Sequence, residues 1–273
     1  MQLKKKISKY YSYRDILNCW RYLKIDKGDT VYITGDLSCF GRYKNLKNIL
    51  SDFSKSLKKV LGKSGTIVFP THSWSVLKRN KIFSLEQTKS ESGVLSEYLR
   101  KDKKSFRQPH PFSSISAIGK MGKFITCSSS KHVYGPDTPF EKLILLNAKF
   151  ISLGLEPNFT CSQVHHIEFI NHVPYRFTKE FLVKTLEKKK IILKKYYLFV
   201  LYKSITESFR DRNRKICKNF KKKNKILEYK LGKSKVYCYS IKDFSYETSK
   251  LMKKDIYCWL KKLPKKKKLG IDL

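Results

Sequence analysis

The stretch 161–176, CSQVHHIEFINHVPYR, sets His165 and Glu168 three residues apart. On a helix, residues i and i+3 share a face, so this carboxylate reaches the imidazole or its near surroundings. A carboxylate on one ring nitrogen fixes the tautomer and leaves the other nitrogen to take a proton. The neighbouring His166 points about 100° away on the same helix and reads as structural. All six histidines (His72, His110, His132, His165, His166 and His172) fall between residues 72 and 172, and seven of the eight prolines between 70 and 174. The groups that titrate near neutrality thus gather in the loop-rich middle, where an acid–base site is expected. An H-x-x-E pair also arises as a plain structural contact, so its surroundings decide between the two readings.

Two further segments carry chemistry-bearing side chains. RQPHPFSS (107–114) has two X-Pro bonds that stiffen a loop and present Arg107, His110 and Ser114. A rigid turn with no other role is the equal alternative. YGPDTPFEKL (134–143) predicts a turn leading into a helix, with Asp137 or Thr138 as N-cap and Pro139 at the first helical position. That helix start either serves as a cap alone or receives a phosphate or carbonyl oxygen. No Walker loop, G-x-G-x-x-G or G-x-S-x-G is present, so nucleotide hydrolysis, a dinucleotide cofactor and esterase chemistry lack support. The seven cysteines form no C-x-x-C pair and no zinc spacing, so no metal and no covalent cysteine route is expected.

The elements that must position these groups follow a strand–helix–strand pattern. A helical apolar stripe runs over 13–24, a buried strand over 29–37, a helix over 45–62 ending at Gly62, and a second strand over 65–70. Helix then strand recur in EKLILLNAKFISLGL (141–155). The pattern predicts βαβ units and an α/β fold with a parallel sheet. Sites on such sheets lie in loops at the carboxyl ends of strands, here TGDLSCFG, PTHSWS and LEPNFT. Residues 188–236 are Lys-rich with one strong β run at 196–202, and a last helix is expected at 246–262. With no internal repeat and no Gly/Ser linker, a single domain over 1–273 is expected. Its Lys-rich part, 178–273, would complete the fold and shape an acceptor cleft.

The chain is 273 residues with a net charge of +38. Lysines facing phosphates would favour nucleic acid through counterion release. They are spread almost everywhere, however, and the densest runs (218–225 and 263–270) lack aromatic interleaving. A solvated basic surface is therefore the expected reading, one that still attracts an anionic small molecule. No run of eighteen apolar residues and no signal-peptide core is present, so no membrane partner is expected. Scattered reduced thiols suit a cytoplasmic protein.

Four motifs in order resemble the aminoglycoside 3-N-acetyltransferase family: GTIVFPTHSW (65–74), RQPHPFSSISAIG (107–119), YGPDTPFEKL (134–143) and the SQVHHIE–VPYR block (162–176). GDTVYITGDLSCFG (28–41) is similar too, and together they cover roughly residues 14–177. The resemblance implies a three-layer αβα sandwich with a largely parallel central sheet and an irregular C-terminal extension. It implies transfer of an acetyl group from acetyl-CoA to an amine, with His165 as general base supported by Glu168. It places Thr34, Asp36, Leu37, Ser38, Thr71, Ser73, Ser114, Asp137 and Thr138 on coenzyme A, with Thr71 or Ser73 as oxyanion donor. Trp74, Arg107, His110, Tyr134 and Arg176 would border the acceptor. Two departures stand out: Thr34-Gly35-Asp36 replaces a His-Ser-Ser type sequence, and a long acidic acceptor region is missing. A chain of this charge would repel a polycationic drug. The expected acceptor is therefore an amino sugar, or its nucleotide-linked form, as in surface-polysaccharide biosynthesis. The alternatives are an aminoglycoside acetyltransferase proper, a basic nucleic-acid-binding protein and an inactive scaffold. The oligomeric state is left open, a homodimer included.

Overall fold

The computed structural model describes residues 10–160, 162–202 and 214–260. Three strands form the centre of a seven-stranded sheet: β1 (Thr30–Gly35), β2 (Thr66–Pro70) and β6 (Lys149–Leu153), with β1 parallel to both neighbours. β5 (Ile115–Gly119) lies antiparallel to β2, and β4 (Ser105–Arg107) antiparallel to β5. On the other side β10 (Ser234–Ser240) runs antiparallel to β6 and β9 (Leu227–Leu231) antiparallel to β10. The order is β4-β5-β2-β1-β6-β10-β9. Strand direction therefore agrees in five of the seven, all but β5 and β10. Each face of the sheet is covered by its own apolar cluster, which makes three layers.

The alternation of side chains along β1 creates those two cores. Val31 and Ile33 face α1 (Tyr13–Tyr22) and α2 (Ile49–Leu61), where Trp20 and Phe53 are fully buried. Tyr32 faces the opposite layer, among Phe140 and Phe150. That layer holds α6 (Pro139–Leu145), α8 (Gln163–Ile170) and α10 (Ile241–Lys254). Ser12 caps α1 in a reciprocal box with Asp15, and Trp20 Nε1–H donates to Ser56 Oγ at 2.8 Å, joining α1 to α2.

The chain beyond 178 is more regular than its Lys-rich composition suggested. The single β run expected at 196–202 is half of a long hairpin, β7 (Arg176–Glu187) with β8 (Lys190–Leu201), paired along its whole length. β3 (Phe83–Ser84) adds to β7 and completes a separate three-stranded sheet with β8 at its edge. The last helix starts at 241 rather than 246, because Ser240 caps it on Asp243 N–H, and it ends at Lys254. The densest lysine run, 263–270, lies outside the described residues. Among the described residues no helix is long and apolar enough to cross a membrane.

Candidate active site

The loop after β6 leads through a short helix, α7 (Pro157–Thr160), into α8, so the His165–Glu168 pair starts from the carboxyl end of a central strand. His165 Nδ1 lies 2.7 Å from Glu168 Oε2, within one helical turn as the spacing predicts. A buried carboxylate only accepts, so its contact favours a proton on Nδ1, while Arg176 Nη2, a donor, also stands 3.1 Å from that nitrogen; Nε2 is the nitrogen that Glu168 does not engage. The ring is partly open, with 22% of its side chain exposed, while Glu168 is buried at 3%. Two further residues hold Glu168. Tyr175 donates its hydroxyl to Oε1 at 3.1 Å, and Arg176 Nε stands 2.7 Å from Oε2. That N–H is angled off the oxygen, which makes the Arg176 contact an ion pair rather than a hydrogen bond. Burial pushes the Glu168 carboxyl up, but the Arg176 charge and the His165 contact more than offset it, and the net shift is downward. Burial, reinforced by Glu168, pushes the Tyr175 phenol up, so it stays a donor.

The environment of this group is built by neighbouring motifs. The Tyr134 ring meets His165 edge-on at 5.7 Å. Gly135 N–H donates to His166 Nδ1 at 3.3 Å, so His166 docks the 134–138 loop onto α8, in keeping with its structural reading. Thr138 is the N-cap position of α6 with Pro139 following, but its hydroxyl donates to Gly135 O at 2.7 Å and does not cap. The Asp137 carboxylate is tied to Ser129 and to Lys142 at 2.8 Å; those hydrogen bonds hold its pKa well below the usual carboxylate range.

A second group gathers at the end of β1. Thr34, Asp36 and Leu37 line a cavity of about 380 Å³ with Phe69, Leu153 and the segment Ser92–Ser96. Asp36 Oδ1 accepts from Ser38 N–H at 2.9 Å, capping a 3₁₀ turn over Leu37–Phe40. Gly35 makes this loop possible. Its φ is +131°, and a Cβ there would stand 2.1 Å from Leu153 O. The apolar lining with a few hydroxyls suits an amphipathic arm better than a polyanion. Ser92 and Ser96 carry no motif in the sequence and enter only because the helix at Val94–Arg100 (α4) packs beside the β1 end.

A third group is a brace. The fully buried Thr71 hydroxyl contacts Ser114 Oγ at 3.0 Å and Ser116 Oγ at 2.9 Å, and Ser73 Oγ donates to Pro111 O at 2.7 Å. Arg107 donates to Thr71 O at 2.8 Å, Ser114 Oγ at 3.0 Å and Thr88 O at 2.5 Å, and lies over the Phe83 ring. Burial, helped by the nearby Arg100 charge, lowers its pKa to about 10 despite the opposing Glu97. His110 is buried between Phe112 and Tyr196, and burial lowers its pKa to about 3. Trp74 packs on Phe112 with ring centres 5.7 Å apart. The structure thus joins His165, Glu168, Tyr134 and Arg176 in one cluster, and Thr34, Asp36 and Leu37 in one cavity. Thr71, Ser73, Arg107 and Ser114 bond to one another instead. Tyr175 is the residue that sequence reasoning passed over; its place in VPYR beside Arg176 was the available signal.

Comparison with known proteins bears on the family and the fold. The sequence profile of one family, described as aminoglycoside 3-N-acetyltransferase, matches residues 35–253. The fold is similar to the crystal structure of aminoglycoside acetyltransferase AAC(3)-IIb, with a TM-score of 0.79 and 16% identity over 91% of this chain and 98% of that one. AAC-IIIb, solved as a binary complex with CoASH, gives 0.79 and 17% over 90% and 97%. Sisomicin-bound AAC-VIa gives 0.78 and 16% over 90% and 98%. No curated protein matches this chain closely enough in sequence to count as a relative.

Proposed function

Because the chain belongs to the aminoglycoside 3-N-acetyltransferase family, an acyltransferase family, we propose that it transfers the acetyl group of acetyl-CoA to an amine of an aminoglycoside-like amino sugar. The observation that carries this reading is His165 held on an ionised, buried Glu168 whose other oxygen Tyr175 holds and whose charge Arg176 balances. His165 Nε2 takes a proton from the acceptor ammonium or the attacking amine. The amine nitrogen attacks the thioester carbonyl, the C–N bond forms, the C–S bond breaks, and the proton returns to the leaving thiolate. Glu168 keeps the imidazole oriented and stabilises its charged form. The cavity between the β1 end and α4 fits the pantetheine arm of coenzyme A, with Thr34, Ser92 and Ser96 as its hydroxyls. This reading puts the family's namesake acceptors ahead of the biosynthetic amino sugar expected from charge.

A biosynthetic, nucleotide-linked amino sugar is the second reading, and charge is the observation favouring it. The protein has 60 basic and 22 acidic residues. Several acids that could grip a polycation, such as Glu180, Glu187, Glu228 and Glu247, are already paired with lysines. The test is free-thiol release from acetyl-CoA with sisomicin, with gentamicin and with a nucleotide-diphosphate amino sugar, each repeated at two salt concentrations. Turnover with the drugs supports the first acceptor class, and turnover with the sugar nucleotide alone supports the second. No thiol release with any amine would sink acetyl transfer itself.

A further inference from the structure

The outer half of one sheet of this fold has a face that none of the described residues covers. In the three-stranded sheet β3–β7–β8, Val183 and Thr185 point into the protein. The opposite parity carries Ile82, Leu182, Leu186, Ile191 and Leu193 on one side, set by the pairings Leu186↔Ile191, Lys184↔Leu193 and Ser84↔Leu186. Leu182 is 59% exposed, Ile191 58%, Leu193 58% and Ile82 43%. Four aliphatic side chains so open to water on one small sheet mark an interaction surface rather than scattered surface residues.

The charges around this face are mostly positive. Lys184 stands within it, and Lys188, Lys189 and Lys190 form the hairpin tip, all exposed. The acids of the hairpin are neutralised locally, Glu187 by Lys194 at 2.6 Å and Glu180 by Lys195 at 3.1 Å. Glu86 also lies beside the tip, in the adjoining groove.

We propose that the aliphatic, lysine-rimmed face of the β7–β8 hairpin docks this protein on an anionic lipid bilayer surface. Lys184 decides among occupants. A protein partner would bury its ammonium at the centre of the contact, where lysine is depleted, and Tyr197, on the same face, is already stacked on His132 and bonded to Glu180 rather than offered as an anchor. A second copy would bring the same lysines together, and β8, as a lysine-bearing edge strand, discourages pairing with itself. At a bilayer the aliphatic side chains enter the acyl boundary while the lysine stems lie along it and their ammonium groups reach lipid phosphates. This is adhesion to a surface, so a search for a long apolar run does not detect it, and it revises the expectation of no membrane partner.

The experiment uses full-length protein sedimented with vesicles of phosphatidylcholine and phosphatidylglycerol in equal parts, and with phosphatidylcholine alone. Leu182→Asn combined with Leu193→Asn leaves the charge untouched. It should lower partitioning onto the anionic vesicles by at least about tenfold, with acetyl transfer unchanged. In parallel, Leu193→Trp should show a blue-shifted emission quenched by brominated lipid. Equal partitioning of wild type and double variant, with Trp at 193 unquenched, would reduce the effect to charge alone and overturn the proposal. So would a wild type that ignores vesicles but is a dimer by light scattering, dispersed by the double substitution. Should the double variant fail to fold, lipid quenching of the Leu193→Trp protein decides the matter.

Discussion

At the scale of single residues, the proposed chemistry depends on a proton being taken by His165 and held there by Glu168. His165→Ala is expected to lower kcat by at least about 100-fold while coenzyme A still binds. Steady-state kinetics alongside calorimetric titration with coenzyme A measures both; undiminished turnover in the variant would remove His165 from the mechanism. Arg176 acts on the same carboxylate from the outside, and its substitution tests a different quantity. Removing it leaves Glu168 buried without its cation, so Arg176→Met should cost about 3 kcal/mol of stability. Adding Glu168→Gln to that variant should recover much of the loss, since the uncompensated charge is then gone. Chemical denaturation of the two single variants and the double variant gives the coupling directly. If Arg176→Met costs nothing, the ion pair at 2.7 Å is incidental.

At the scale of elements, the loop after β1 is a close fit against β6. Gly35→Ala is expected to destabilise by about 2–3 kcal/mol, from its positive φ and the clash of a Cβ with Leu153 O. It should also weaken coenzyme A binding, because the same loop lines the cavity. Thermal melting and calorimetry check the two effects, and a variant as stable as wild type would mean that the loop has slack. Much of this architecture could be read beforehand. β1, β2 and β6 are apolar runs between helical stripes, and their parallel pairing followed from that spacing alone. The hairpin could not be read so well. Lysines interrupt both its strands, and the exposed aliphatics sit on the face that should have been polar, so the alternation that marks a half-buried strand is broken. The site shows the same division. His165 and Glu168 needed only helical spacing, whereas the bonding of Thr71, Ser73 and Arg107 to one another depends on strand pairing between 70 and 115, which no local pattern encodes. Ser92 and Ser96 come to the cavity through packing of α4 and carry no local mark either.

At the scale of the whole molecule, acid should destabilise this protein well before its carboxylates are protonated. His110 and His166 are buried, and burial lowers their pKa to about 3 and about 4. In the unfolded chain both titrate near 6.5, so below that pH the unfolded state binds protons that the folded state refuses. Their stabilising contribution is whole above about pH 6.5 and is lost as pH falls toward the folded values. The slope reaches up to about 2.7 kcal/mol per pH unit if both take part. Glu168, with its lowered pKa, adds a further loss in the same direction at lower pH. Urea midpoints measured between neutrality and roughly pH 5, for wild type and for His110→Phe with His166→Asn, should show a steep fall that the double variant lessens, with His72, lowered by burial to about 4, still contributing. A flat wild-type profile would mean that these histidines are not buried in solution. The pairing of β6 with β10 has a consequence for how the chain is made. His165, Glu168 and Arg176 all leave the ribosome before β10, which begins at Ser234 and closes the open side of β6. Until then a central strand is an unprotected edge, ready to pair with another nascent chain. A ribosome-stalled fragment ending near residue 202 would thus hold the whole proposed catalytic cluster in its sequence and still be captured by chaperones, and the roughly seventy residues after it decide when the enzyme first becomes safe to release.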